Sequence, residues 1–283
     1  ICEASYNGTR VVAKIIHEAF VFNREQRMAV LVSQRLDTTC RNFPHLYKAI
    51  SKYRTAENKH SGVLLLERGE PIRHGFLACA SQQVVRSILG QLLVPLVELH
   101  ASGYLHGDVK LLNYVMRSNT TCFPPNYEYQ RCGTRYDLTC PSQSYGIPML
   151  IDYELAFRSE PSIPLTSCVV ATVSHRPPEL IFVRAGGELV YDSKSEAFSY
   201  GIAVLEAIGV YPKLASCSCD ELVDKLEQKI GEMESMSDAF DIAYGYDGPR
   251  EIATNLVRTL FALGCPPEHS TLYETALGKV VFD

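Results

Sequence analysis

His106-Gly107-Asp108-Val109-Lys110-Leu111-Leu112-Asn113 is the stretch on which the reading of this chain turns. It follows a long run with apolar residues at helical spacing and precedes Tyr114-Val115-Met116. It sets out an acid, a cation two positions later and an amide three positions after that. An Asp so placed can accept a hydroxyl proton, and a Lys can neutralise charge on a transferring phosphoryl group. A second piece, Met149-Leu150-Ile151-Asp152-Tyr153-Glu154, lies further on. Its Asp152, with Asn113 of the first piece, offers the oxygen atoms that hold Mg²⁺. Taken alone, the octapeptide also fits a buried strand, turn and strand with two solvated charges.

The first piece resembles the protein-kinase catalytic loop, H-R-D-x-K-x-x-N, with Gly107 in place of the Arg. Ile151-Asp152-Tyr153-Glu154 resembles the D-F-G element, with Glu154 in place of the Gly. Upstream, the β-branched run 8–16 predicts a strand. Its Val12-Ala13-Lys14 resembles the kinase strand whose Lys contacts the α- and β-phosphates of ATP. Residues 22–36 predict a helix, with Phe22, Met28, Ala29, Leu31, Val32 and Leu36 on its apolar face. By the resemblance, Glu25 pairs with Lys14 and Glu18 is the reserve, since a separation of 11 residues is shorter than kinases usually show. An acid near a helix N-terminus also suits the helix dipole. Gly62-Val63-Leu64-Leu65-Leu66-Glu67 reads as a buried strand, broken by Arg68-Gly69-Glu70-Pro71. The resemblance makes this the hinge strand, with Leu66 as gatekeeper and Glu67 onward facing the adenine. No G-x-G-x-x-G occurs. In kinases that loop would fall before Ile1, so either the numbering starts after it or the chain lacks it.

Residues 37–60 are polar and rich in turn formers. From Ser81 to His100 a long helix is expected, strained locally by Pro95. Residues 117–147 read as a loop insertion, which places Asn113 and Asp152 39 residues apart. Asn119-Thr120-Thr121 within it matches a glycosylation sequon that an intracellular protein would not use. Ala171-Thr172-Val173-Ser174-His175-Arg176-Pro177-Pro178-Glu179-Leu180 resembles the end of a kinase activation segment, with His175 in the place of a Tyr. There Thr172 would bridge Asp108 and Lys110. Glu196-Ala197-Phe198-Ser199-Tyr200-Gly201 resembles the central kinase helix, with Glu196 standing for Asp and Phe198 for Trp. Residues 220–236 and 250–264 predict further helices, and no Arg matches the kinase partner of Glu179.

The totals are compatible with this order of motifs. A chain of 283 residues with 46% hydrophobic and 21% charged residues builds a substantial core, in one large domain or two lobes sharing a cleft. A net charge of −5 implies neither a nucleic-acid nor a membrane-surface partner. The ten cysteines form no CxxC pair and no zinc-finger spacing, so they read as reduced thiols in the cytoplasm or nucleus. Cys122, Cys132 and Cys140 lie close enough in sequence for a local disulfide or metal site. No signal peptide or membrane span is expected, and the missing initial Met fits a fragment.

The resemblance implies an α+β, two-lobed kinase fold: a β-rich lobe over 1–69 and a mainly helical lobe over 70–283 carrying the insertion. It implies an ATP- and Mg²⁺-dependent Ser/Thr protein kinase. Asp108 and Lys110 are its catalytic residues, Asn113 and Asp152 hold the metal, and Lys14, Glu25, Leu66 and Glu67 bind the nucleotide. Gly107 and Glu154 are also shared with small-molecule kinases of the aminoglycoside/choline-kinase type. A pseudokinase scaffold is a further alternative, and a pure interaction module is disfavoured by the five matching polar residues. H-G-D-x-K with I-D-Y resembles the vaccinia-related kinases. The mixed pattern with its Cys-containing insertion is similar to kinases of large DNA viruses, which would act inside an infected host cell.

Overall fold

The structure, a computed structural model, describes residues 1–33, 40–54, 60–117, 127–131, 133–142, 145–159, 172, 175 and 191–207. The expected helices over 220–236 and 250–264 lie outside the described residues, as do residues 176–180, the sequon, Cys122 and Cys132. Cys140 is a free thiol. The described chain is mixed α and β, with an antiparallel sheet at its N-terminal end. It divides into two compact units: Ile1–Ile72 with Gln82–Ser102 and Leu112–Ala156, and Arg73–Ser81 with Gly103–Leu111 and Phe157–Asp283.

In the first unit, Asn7-Gly8 joins β1 (Cys2–Tyr6) to β2 (Thr9–Ile16) with φ of 49° and 79°. A two-residue turn with both φ values positive matches the twist of the strands, and Asn-Gly tolerates it best. With β3 (Leu46–Arg54) and β4 (His60–Glu67) these strands form an antiparallel sheet in the order β1-β2-β4-β3. Side chains alternate along β2, so Val11 and Ala13 are buried on one face while Lys14 and Ile16 share the other. Helix α1 (Ala19–Leu31) starts three residues earlier than its apolar pattern predicts and buries Phe22, Glu25, Met28 and Ala29. Phe22 packs with Ile16 and Leu64. The backbone of Gly62 lies so close to this ring that an added Cβ would sit 2.0 Å from Phe22.

The break expected over 68–71 is shorter than the sequence implies. Gly69–Pro71 forms strand β5, a partner for the chain segment beyond Asn113. Residues 37–60, expected as turns, contain β3. Helix α2 (Gln82–Ala101) runs through Pro95 and packs on the strand just before Asp152. Its window Gln83–Ala101 has mean hydropathy 1.4, apolar and long enough to cross a membrane, but 71% of it is buried in the protein itself. A pair of residues forms β6 (Tyr104–Leu105), and a 3₁₀ turn (Leu111–Asn113) leads into β7 (Tyr114–Arg117). The loop expected over 117–147 contains a hairpin, β8 (Glu128–Arg131) with β9 (Thr134–Asp137). Strand β10 (Pro148–Leu150) completes a second antiparallel sheet, β10-β7-β5.

In the second unit, β6 pairs with β11 (Phe157–Arg158). Helix α3 (Ser193–Ala207) begins with reciprocal capping bonds, Ser195 N–H to Asp192 Oδ1 at 3.2 Å and Asp192 N–H to Ser195 Oγ at 3.4 Å. It is buried along its length, at Ala197, Tyr200, Ile202, Ala203, Val204 and Ala207. Its last carbonyls, of Glu206 and Ala207, accept from the Gly75 and Leu77 amides. The helix is thereby tied into the segment Arg73–Ser81.

Candidate active site

Two constellations of predicted residues form, one in each unit. In the first unit, strand β2 presents Lys14 toward α1, and Glu25 on that helix meets it. Lys14 Nζ lies 2.5 Å from Glu25 Oε1 and 2.6 Å from Asp152 Oδ1. Glu18, the reserve partner, sits exposed at the head of α1. Burial raises the Glu25 carboxyl to about 7, against the opposing pull of Lys14. For Lys14, burial lowers the pKa, but Glu25 and Asp152 together hold it above its ordinary value. These directions look opposed across one ion pair and agree once three groups are counted. One ammonium serves two carboxylates, a negative charge is left over, and Glu25, with only 4% of its side chain exposed against 38% for Asp152, is where a proton stabilises the cluster.

Asp152 adopts φ of 68°, the left-handed region, two residues beyond β10. The 3₁₀ turn before β7 supplies Asn113, whose carbonyl accepts from the Ile151 N–H at 2.9 Å, so the backbones carrying Asn113 and Asp152 are directly joined. A cavity of about 30 Å³ opens beside Asp152, lined also by Lys14, Glu25, Ala29, Leu64 and Leu66, and Asn113 is not among its lining residues. Glu25 Oε2 is buried with no hydrogen-bond partner among the described residues, and the cavity is large enough for a water to serve it.

Leu66 lines that cavity and the Glu67 side chain does not. Glu67 takes a two-pronged bond from Arg117, Nε to Oε1 at 2.6 Å and Nη2 to Oε2 at 2.8 Å, and its Oε2 also accepts from the His45 N–H. Arg117 Nη2 further donates to the Phe43 carbonyl. The carboxylate is therefore committed to bracing the segment Phe43–His45, as is the Glu67 N–H, which donates to the His45 carbonyl at 2.8 Å.

In the second unit, Asp108, Lys110 and Thr172 close a triangle. Asp108 Oδ1 accepts from the Thr172 N–H at 2.9 Å and from Thr172 Oγ1 at 2.7 Å. Lys110 Nζ lies 2.7 Å from Asp108 Oδ2 and donates to Thr172 Oγ1 at 2.8 Å. The loop behind this triangle is held by Glu196, a residue to which the sequence assigned no contact. Glu196 is fully buried in α3, and its Oε1 accepts from the Gly107 N–H at 2.6 Å. Gly107 has φ of 80°, a conformation that costs any side chain with a Cβ. A carboxylate inside the apolar run of α3 is itself a sequence signal, because such a group is buried only with partners. His175 is buried near the same helix, where its carbonyl accepts from Ser199 Oγ. Its Nε2 approaches Glu206 Oε2 at 3.3 Å, within ion-pair distance but without hydrogen-bond alignment.

Chemically, the first set can take up a cation or a phosphate group, and the second can orient a hydroxyl and receive its proton. Among the described residues, no group of three or more His, Cys, Asp or Glu side chains is arranged to hold a metal by itself. In comparisons with known proteins, no family model matches the chain and no curated sequence matches it.

Proposed function

We propose that the chain is an ATP- and Mg²⁺-dependent phosphotransferase of the protein-kinase type, with the two-lobed kinase fold and with Ser or Thr hydroxyls of proteins as acceptors. The observation that carries this reading is Lys14, one ammonium held by two carboxylates drawn from a helix and from a segment 138 residues away. A structural ion pair needs one partner. Two carboxylates on one half-buried ammonium leave negative charge that a bound cation would offset, while the ammonium itself suits a phosphate.

Asn113 and Asp152 fit Mg²⁺ because both offer hard oxygen ligands and their backbones are joined by the Ile151–Asn113 bond. With nucleotide bound, Mg²⁺ would neutralise phosphate charge and orient the transferring group. Lys14 holds phosphate oxygens, with Glu25 fixing its direction. Asp108 orients the acceptor hydroxyl and takes its proton, its own orientation fixed by Thr172. Lys110 stabilises charge on the transferring group. Most of the rate enhancement in such a reaction comes from positioning and electrostatics, which prearranged triangles of this kind supply.

Gly107 favours a second reading, transfer to a small molecule, because H-G-D is shared with aminoglycoside- and choline-kinase-type enzymes and its φ of 80° suits Gly. The Lys110–Thr172 contact weighs toward a protein acceptor, as the Ser/Thr-kinase resemblance implies.

The test is Mg²⁺-dependent ATP turnover on a generic basic protein and on a panel of small amines and alcohols, with Asp108→Asn alongside. Phosphate on protein Ser or Thr is expected, reduced about 10²-fold or more by the substitution. Transfer to small molecules alone would install the second reading. Absence of transfer and of nucleotide-dependent thermal stabilisation would overturn both.

A further inference from the structure

The hairpin inserted before the strand that leads to Asp152 is tied down on two sides. Tyr127 closes its base, with its N–H donating to Thr139 Oγ1 and its carbonyl accepting from the Leu138 N–H, each at 2.8 Å. On one side the hairpin grips α2. The Leu138 carbonyl accepts from Ser87 Oγ at 2.6 Å and Gln91 Nε2 at 2.7 Å, and Tyr129 donates its hydroxyl to Glu98. Leu138 also fills the space above Gly90, where an added Cβ would meet its Cδ2 at 2.7 Å.

On the other side, the Tyr127 hydroxyl donates to Asn42 Oδ1. Asn42 is fully buried and commits two further groups to β10. Its Nδ2 donates to the Pro148 carbonyl at 2.7 Å, and its backbone carbonyl accepts from the Leu150 N–H at 2.9 Å. Asp152 follows two residues later. Besides the route through α2, the hairpin thus reaches the strand through the Asn42 amide, and the two ends of that amide have different partners. A phenol hydroxyl can donate to the amide oxygen, which points the amide nitrogen at Pro148. Burial pushes the Tyr127 hydroxyl well above its ordinary range, so it stays a donor at neutral pH.

We infer that Tyr127 is a positioning residue for Asp152, acting through Asn42 and β10, and that the insertion is a brace for the strand that carries the metal ligand. This rests on the reading of Asp152 as a Mg²⁺ ligand. Its first readout does not depend on that reading.

The test uses Tyr127→Phe, which keeps the ring and removes the donor, with Tyr129→Phe as the control that loosens only the grip on α2. Residue-resolved amide exchange is measured on the full chain, and Mn²⁺ affinity is measured by electron paramagnetic resonance with ATP present. In Tyr127→Phe, exchange at Leu150 and Ile151 is expected to rise about tenfold, with the amides of β2 and β4 unchanged. Mn²⁺ affinity is expected to fall severalfold, and Tyr129→Phe to do neither. Unchanged exchange at Leu150 and Ile151, or an equal effect of Tyr129→Phe, overturns the brace. Faster exchange with unaltered Mn²⁺ affinity reduces the hairpin to a structural element and overturns the positioning role. If the wild-type chain binds no Mn²⁺ with ATP present, the phosphotransferase reading fails, and exchange still decides whether Tyr127 holds the strand.

Discussion

Glu25 is 3% exposed, with Lys14 2.5 Å from its Oε1. Its carboxyl is raised from 4.5 to about 7, so between those values the folded state holds a proton that the unfolded chain has released. The stabilisation this provides is fully present below about 4.5 and is lost as pH rises through about 7, amounting to at most about 3 kcal/mol. Glu25→Gln stays neutral throughout. In thermal melts from pH 5 to pH 8 without nucleotide, the variant is therefore expected to gain on the wild type as pH rises. A difference between the two that stays flat with pH would show that Glu25 is already ionised. Glu25 was legible as a partner of Lys14 only through the kinase resemblance, because the same residue serves equally well as an ordinary helix-start acid. The Glu67 carboxylate was not legible, since its commitment to Arg117 spans 50 residues.

Among the elements, helix α3 carries a contact that decides the shape of the loop at Asp108. Glu196→Gln keeps an oxygen that can accept from the Gly107 N–H, whereas Glu196→Leu leaves that buried donor unsatisfied. The Leu variant is expected to lose about 1–3 kcal/mol of stability and to cut phosphoryl transfer by roughly tenfold or more, while the Gln variant keeps most of both. Equal loss in both would mean that the charge matters and the acceptor does not. Elements with unbroken periodicity were readable from sequence, as α2 and β2 show. Strand β3 was not, because its register shifts between Leu46 and Lys48 and again between Ile50 and Tyr53, so apolar residues do not alternate. Strands β8 and β9 are four residues each, too short to stand out among the turn formers around them.

For the whole molecule, the proposed activity should not depend on phosphorylation. Gly107 carries no guanidinium whose charge a phosphate must neutralise, and Asp108 is already held by Thr172 and Lys110. A variant with Ala at Ser159, Ser162, Thr166 and Ser167 is expected to keep turnover within about twofold of wild type, since Gly107 offers no positive charge for a phosphate at any of them to pair with. Strongly reduced turnover with intact folding would refute this.

The features legible without the fold are local: the helical stripe of α2, the β-branched strand that carries Lys14, and the order of the acid, cation and amide over 106–113. Each depends on residues a few positions apart, where backbone geometry sets which side chains share a face. Packing in three dimensions settles that Lys14 meets Glu25 and not Glu18, that Asp152 shares the same ammonium, that Glu196 reaches Gly107, and that the insertion contains a hairpin bonded to α2. Those contacts join distant segments. Their partners are chosen by how helices and strands pack, and by the need of every buried polar group for a counterpart.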